Sequence, residues 1–129
     1  MKIIANNSIL VFQNQVNTLT KVHEVVKSNS DTTNQSKGRF DFKIDIDPTW
    51  GTTELLVKVT KRTGATGNTY AIWGYNNSAD QELFQSLNFG ELSQLHDFDG
   101  YSKIFLYATG LGTAVATEIL VEIFKYTTE

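Results

Sequence analysis

The sequence predicts an all-β domain, a jelly-roll-like two-sheet antiparallel β-sandwich of about eight strands. Three observations predict it. Apolar and polar residues alternate with period two through most of the chain after residue 38. The alternating segments are short and are separated by Gly, Asn and Ser clusters of the kind that turn a hairpin. Two segments are apolar on both faces, as strands covered on both sides are. At 129 residues the chain amounts to one domain, read as a single sandwich over residues 1–129.

Residues 1–38 carry the weakest pattern. Residues 3–6 and 9–13 read as short strands. Over residues 18–28, Leu19, Val22 and Val26 fit a helix, but the Thr and Val content favours a strand. Residues 28–37 form a polar Ser/Asn/Thr-rich loop. Residues 39–47 give the clearest strand. Phe40, Phe42, Ile44 and Ile46 fall on one face, and Arg39, Asp41, Lys43, Asp45 and Asp47 on the other. Pro48 ends it, because proline has no N–H for the ladder.

Residues 54–62 repeat the pattern. Leu55, Val57 and Val59 point inward, and Leu56 is the one apolar residue on the outer side. The glycines of Thr63-Gly-Ala-Thr-Gly-Asn68 then allow a hairpin loop. Residues 69–76 are apolar on both faces, Tyr70 and Ile72 against Ala71, Trp73 and Tyr75. After a turn at 76–80, residues 81–89 form a strand with Leu83, Leu87 and Phe89 in phase. A short helix capped by Ser78 competes there. Residues 101–109 give a second two-sided strand. Residues 114–126 close the chain, with Val115, Ile119, Val121 and Ile123 on one face.

Composition narrows the function. The chain has no cysteine, which excludes disulfide scaffolds, thiolate zinc sites and Cys nucleophiles. Its net charge is −3, and Lys58, Lys61 and Arg62 form the only basic cluster, so nucleic acid is not an expected partner. No apolar run reaches the length of a membrane span. Residues 1–5 are basic then apolar, but Asn6-Asn7-Ser8 ends the run too early for a signal peptide, so a complete chain is expected to start in the cytoplasm of whatever cell makes it.

No constellation identifies a reaction. His23 and His96 lack neighbours at metal-ligand spacing and read as surface residues. Asp41, Asp45 and Asp47 share a strand face, and Asp97 and Asp99 flank Phe98. Such carboxylates can hold Ca²⁺ or act as an acid/base pair, yet a solvated strand face with Lys43 among them explains them better. Gly64, Gly67, Gly110 and Gly112 lie between strands, with no helix N-terminus to complete an anion site. The remaining candidates are aromatic. Trp50, Trp73 and Tyr75 would make a platform for a sugar ring or a protein interface. Against that, Trp73 on a two-sided strand favours the core, and Trp50 after Pro48 favours plugging one end of the sandwich. The expectation is a protein that is not an enzyme and needs neither cofactor nor metal.

The stretch from Tyr70 through Leu87, with Ile72-Trp-Gly-Tyr-Asn-Asn-Ser78 entering a turn, resembles small jelly-roll domains of tailed-phage structural proteins; discoidin-like sandwiches have a similar turn. Asp99-Gly-Tyr101, a buried strand, Thr109-Gly-Leu-Gly-Thr113 and a long closing strand resemble the ending of phage head-decoration and fibre-associated domains. The likeness covers roughly residues 39–129 and carries over no functional residue. It implies a capsid-decoration or tail/fibre-associated accessory protein of the virion, a homo-oligomer whose partners are other virion proteins. The alternative is a carbohydrate-binding module for host-surface glycans.

Overall fold

The computed structural model describes residues 17–28, 39–63, 69–109 and 118–128. The strands read at 3–6 and 9–13, most of the loop at 28–37, the glycine turns at 64–68 and 110–112, and Val115 lie outside the described residues. Eight strands are present among those described: β1 (Asn17–Ser28), β2 (Arg39–Asp45), β3 (Glu54–Thr63), β4 (Thr69–Asn77), β5 (Asp80–Asn88), β6 (His96–Asp97), β7 (Lys103–Thr109) and β8 (Glu118–Thr128).

They form two antiparallel four-stranded sheets, β1-β8-β3-β6 and β2-β7-β4-β5. The pairings nest: β1 with β8, β2 with β7, β3 with β6, β4 with β5. That is one long hairpin rolled into two sheets, which is the jelly-roll connectivity. The pairs β3–β8 and β4–β7 close each sheet in its middle.

The core lies between the sheets and follows the predicted alternation. Leu55, Val57 and Val59 of β3, Ile119, Val121 and Ile123 of β8, Tyr70 and Ile72 of β4, Ile104 and Leu106 of β7, and Phe42 and Ile44 of β2 all face inward and are buried. Thr18 to Ser28 resolves as strand, because β8 supplies a ladder partner that a helix there would leave unpaired. Residues 81–89 also resolve as strand, but their phase breaks. A register shift sets Ile72 opposite Gln85 and Trp73 opposite Leu83. Phe84 is the extra residue of this bulge and turns toward the core, while Leu83 is turned out to 48% exposure. Leu83, Leu87 and Phe89 therefore do not share a face as the period predicted.

The two open sides of the sandwich differ. On the β5–β6 side, Gln85 Oε1 accepts from Gln94 N at 3.0 Å and lies 2.7 Å from His96 Nε2. Residues 90–93 extend the short β6, with Gly90 N donating to Val59 O and Ser93 N to Val57 O. Ser93 Oγ accepts from Val57 N at 2.8 Å, and the Tyr70 hydroxyl reaches across from the other sheet to accept from Val59 N at 3.2 Å. The edge of β3 is thus satisfied by side chains where no full strand lies beside it. Burial raises the Tyr70 hydroxyl pKa well above its ordinary value, so it remains a neutral phenol there. The β1–β2 side instead opens into a cleft lined by His23, Lys27, Ile44 and Trp50 among others.

Candidate functional site

The outer face of the β2-β7-β4-β5 sheet departs from what a solvated sheet face carries. An antiparallel sheet with one wet side alternates polar residues outward. β2 obeys, presenting Asp41, Lys43 and Asp45. The two central strands do not. Parity puts Tyr70, Ile72 and Gly74 inside and leaves Ala71, Trp73 and Tyr75 outside. It likewise leaves Phe105 and Tyr107 outside, with Ile104 and Leu106 buried.

Register sets these side chains in three rows. Asp41, Tyr107, Ala71 and Ser86 form one. Lys43, Phe105, Trp73 and Leu83 form the next. Asp45, Lys103, Tyr75 and Gln81 form the third. The Tyr75 and Phe105 ring centroids are 5.4 Å apart, and those of Phe105 and Tyr107 are 6.1 Å apart. Lys43 lies across the cluster, its Nζ 5.0 Å from the Tyr75 centroid and 4.9 Å from that of Phe105. Lys103 pairs with Asp45 at the rim. Where Ala71 separates Tyr107 from Ser86 the face dips into a hollow of about 180 Å³, lined also by Thr69. The Trp73 Nε1 donor is enclosed and has no acceptor, an arrangement that costs stability.

The opposite outer face, on β1, β8 and β3, also carries exposed apolar residues: Leu19, Val26 and Tyr126. They sit at its two ends. Between them Lys21 pairs with Glu24 and Glu122, so the apolar surface there is interrupted by charge.

Trp50 is separate from Trp73 and Tyr75. Asp47 caps a one-turn 3-10 helix, Pro48–Trp50. Its Oδ1 accepts from the Thr49 backbone N–H and from the Thr49 hydroxyl, each at 2.8 Å. Gly51 ends the turn at φ 82°, a left-handed conformation suited to glycine. The turn drives the Trp50 ring into the end of the sandwich, where it is 6% exposed. The His23 ring lies 5.7 Å from it, tilted by 41°. A cleft of about 520 Å³ opens beside them between β1 and β2, lined by His23, Lys27, Ile44, Asp45 and Asp47 among others.

Of the three carboxylates predicted to share the β2 face, Asp41 and Asp45 do and Asp47 does not. β2 ends at Asp45, which pairs with Lys103, and Asp47 turns away to cap the 3-10 turn. The hydrogen bonds from Thr49, and then the nearby His23, hold the Asp47 carboxyl below its ordinary pKa, which suits a cap. Asp97 Oδ1 accepts from the Thr53 hydroxyl at 2.8 Å and from Asp99 N at 2.9 Å, so it braces a turn. Among the described residues no group of three His, Asp or Glu side chains converges as a metal site.

His23 and His96 are both half-buried, contrary to their reading as surface residues, because each packs against an aromatic ring: His23 on Trp50 and His96 on Phe84. His96 sits 5.4 Å from Phe84 in a stacked arrangement. Its Nε2 faces an amide oxygen that can only accept, so Nε2 carries the proton. Burial lowers the His96 pKa below its ordinary 6.5. A depressed folded value means that the unfolded chain binds the proton first. Stability is then full above about pH 6.5 and falls as the pH drops toward the folded pKa. Urea melts between pH 8 and 5 should show that loss, and His96→Gln should flatten the part of the slope that His96 causes.

The aromatic face was only half legible from sequence: Trp73 and Tyr75 were identified, while Phe105, Tyr107, Lys43 and Leu83 were not. The signal for Phe105 and Tyr107 was the two-sided pattern of residues 101–109.

No protein-family model and no curated protein matches the chain. A solved structure that it is similar to is the SPBc2 prophage-derived protein YomS, with 12% sequence identity, a TM-score of 0.48, and coverage of 91% of this chain and 100% of that chain. The likeness carries no statement about function.

Proposed function

We propose that the chain is a bacteriophage structural protein, a capsid-decoration or tail/fibre-associated accessory subunit that acts by protein–protein assembly and catalyses no reaction. The phage part of the reading rests on the resemblance of residues 39–129, and one observation carries the assembly part. The central strands of one sheet place Trp73, Tyr75, Phe105 and Tyr107 on the outer side, contiguous with the exposed Leu83. Aromatic residues in a contiguous patch, rimmed by charge, are the composition of a protein interface core.

The same rings could stack on a sugar, but the structure favours protein. A pyranose needs an open ring face, and Lys43 lies over both Tyr75 and Phe105. Displacing it forfeits a cation–π contact of about 0.5–1 kcal/mol at an exposed site. Trp50, the third candidate platform residue, is in the core at the end of the sandwich.

The test is co-sedimentation of the purified chain with phage capsids and with tails. Saturable binding is expected, weakened about tenfold or more in Tyr107→Ser, since interface aromatics carry a large share of binding energy. A chain that stays in the supernatant with both particles, yet binds a glycan array, would overturn the reading.

A further inference from the structure

We infer that the outer face of the β2-β7-β4-β5 sheet docks on a second copy of this chain, with Leu83 of each copy entering the hollow over Ala71 of the other. The inference rests on the assembly reading above and names the partner.

Shape points to it first. A two-fold contact requires that a face carry both halves of its own complement, so that residue i meets j and j meets i. This face does. Leu83 stands out at 48% exposure opposite Trp73. The hollow lies over Ala71, two residues along β4 from Trp73 and one strand away from Leu83. At strand dimensions, knob and hollow are roughly 8 Å apart. A two-fold axis lying in the interface between them places each knob in the opposite hollow. The hollow is an open one of about 180 Å³, floored by Ala71 between Tyr107 and Ser86.

Size agrees. β4 has nine residues. β5 also has nine, and β2 and β7 have seven each. At about 3.3 Å per residue and about 4.8 Å per strand, the face covers roughly 500 Å² before side-chain relief. A stable interface removes about 800 Å² of accessible surface per partner, so a dimer on this face would use all of it. Both signs of charge are present. Among the side chains described, Asp41, Asp45, Lys43 and Lys103 are ionised groups that β2 and β7 place on this face. On the other outer face, Lys21, Glu24 and Glu122 separate Val26 from Leu19 and Tyr126.

The experiment is sedimentation velocity on the full chain over a concentration series, with Leu83→Arg and Ala71→Trp, the first removing the knob and the second filling the hollow. A dimer is expected for the natural chain. Each variant should raise the dissociation constant by about 30-fold or more, the effect of losing one hot-spot residue. Circular dichroism should be unchanged for Leu83→Arg, and so should thermal melts of the dilute monomer, because the side chain is outside the core. A cross-linking arm covers the case in which Ala71→Trp misfolds. The chain has no native cysteine. An oxidised mixture of Leu83→Cys and Ala71→Cys chains should form a disulfide dimer that neither forms as readily alone. A monomer at all concentrations, or a dimer indifferent to Leu83→Arg and uncross-linked in the mixture, overturns the inference. Neither result touches the assembly reading, which fails only if the chain ignores the particles.

Discussion

Phe98→Ala is expected to lower stability by about 3–5 kcal/mol, the range for truncating a buried phenylalanine. The side chain is fully buried. It meets Phe84 edge-on at 4.9 Å between centroids, with the His96 ring at 6.5 Å. The cost depends on whether the surroundings can collapse into the space left, and here they are held. Phe98 N donates to Thr53 O at 2.8 Å, and Phe98 O accepts from Tyr101 N at 3.0 Å. On one flank Asp97 is tied to Thr53, and on the other its Oδ1 accepts from Asp99 N. With the backbone pinned on both sides the cavity persists, so the upper half of the range is expected. The midpoint of thermal unfolding should fall on the order of 10–20 °C for a domain of this size. Leu83→Ala is the control. Its side chain lies outside the core, and the change in a dilute monomer should stay within about 0.5 kcal/mol. A Phe98→Ala variant that melts with the natural chain would show that this end of the sandwich is not packed as described.

The contrast between Phe98 and Leu83 shows what the sequence alone could convey. Alternation is a local signal, and it located the core wherever a strand runs without interruption. Phe42 and Ile44, Leu55 to Val59, and Ile119 to Ile123 are buried in the predicted phase. Alternation fails at a bulge, because one inserted residue inverts every face beyond it. Phe84 and Leu83 exchanged roles for that reason, and nothing in residues 81–89 marks the insertion. Phe98 lay between two aspartates, in a segment with no period at all. Its burial follows from hydrogen bonds to Thr53 and Tyr101, residues 45 and 3 positions away in the chain, and β6 is too short to leave a pattern. Asp47 continued the phase of Asp41 and Asp45, yet its carboxylate finds a better use as a cap two residues before Thr49.

The candidate face was harder still. A strand apolar on both sides signals that both sides are covered, without saying by what. In β4 and β7 one side is covered by the other sheet, and strand order alone decides that Ile72 and Ile104 take it while Trp73 and Phe105 do not. Strand order is a property of the whole roll. The aromatic residues were therefore visible as a surplus of apolar residues long before their common face could be known.

Gly74→Ala is expected to destabilise by about 1–3 kcal/mol, the range for overfilling a packed site. Strand interiors ordinarily favour alanine over glycine by roughly 0.5–1 kcal/mol, so the sign of the effect is itself a test. A Cβ on Gly74 would stand 2.6 Å from Tyr101 Cδ2 and 2.9 Å from Cγ and Cε2, well inside van der Waals contact. The ring cannot step aside without loss. Its hydroxyl donates to Glu82 Oε1 at 2.9 Å, Phe84 meets it edge-on at 5.9 Å, and its backbone N is bonded to Phe98 O. A missing side chain on β4 thus admits the ring that covers the end of the sandwich beside Phe84. If that account is right, the two positions are coupled. In a Tyr101→Ala background the added methyl loses its three nearest contacts, and Gly74→Ala should become neutral or mildly stabilising. A double-mutant cycle from urea melts should then give a coupling of about 1 kcal/mol or more, as residues in direct contact do. Additive effects would mean that the glycine is there for its backbone alone, although nothing in the extended conformation of β4 asks for one.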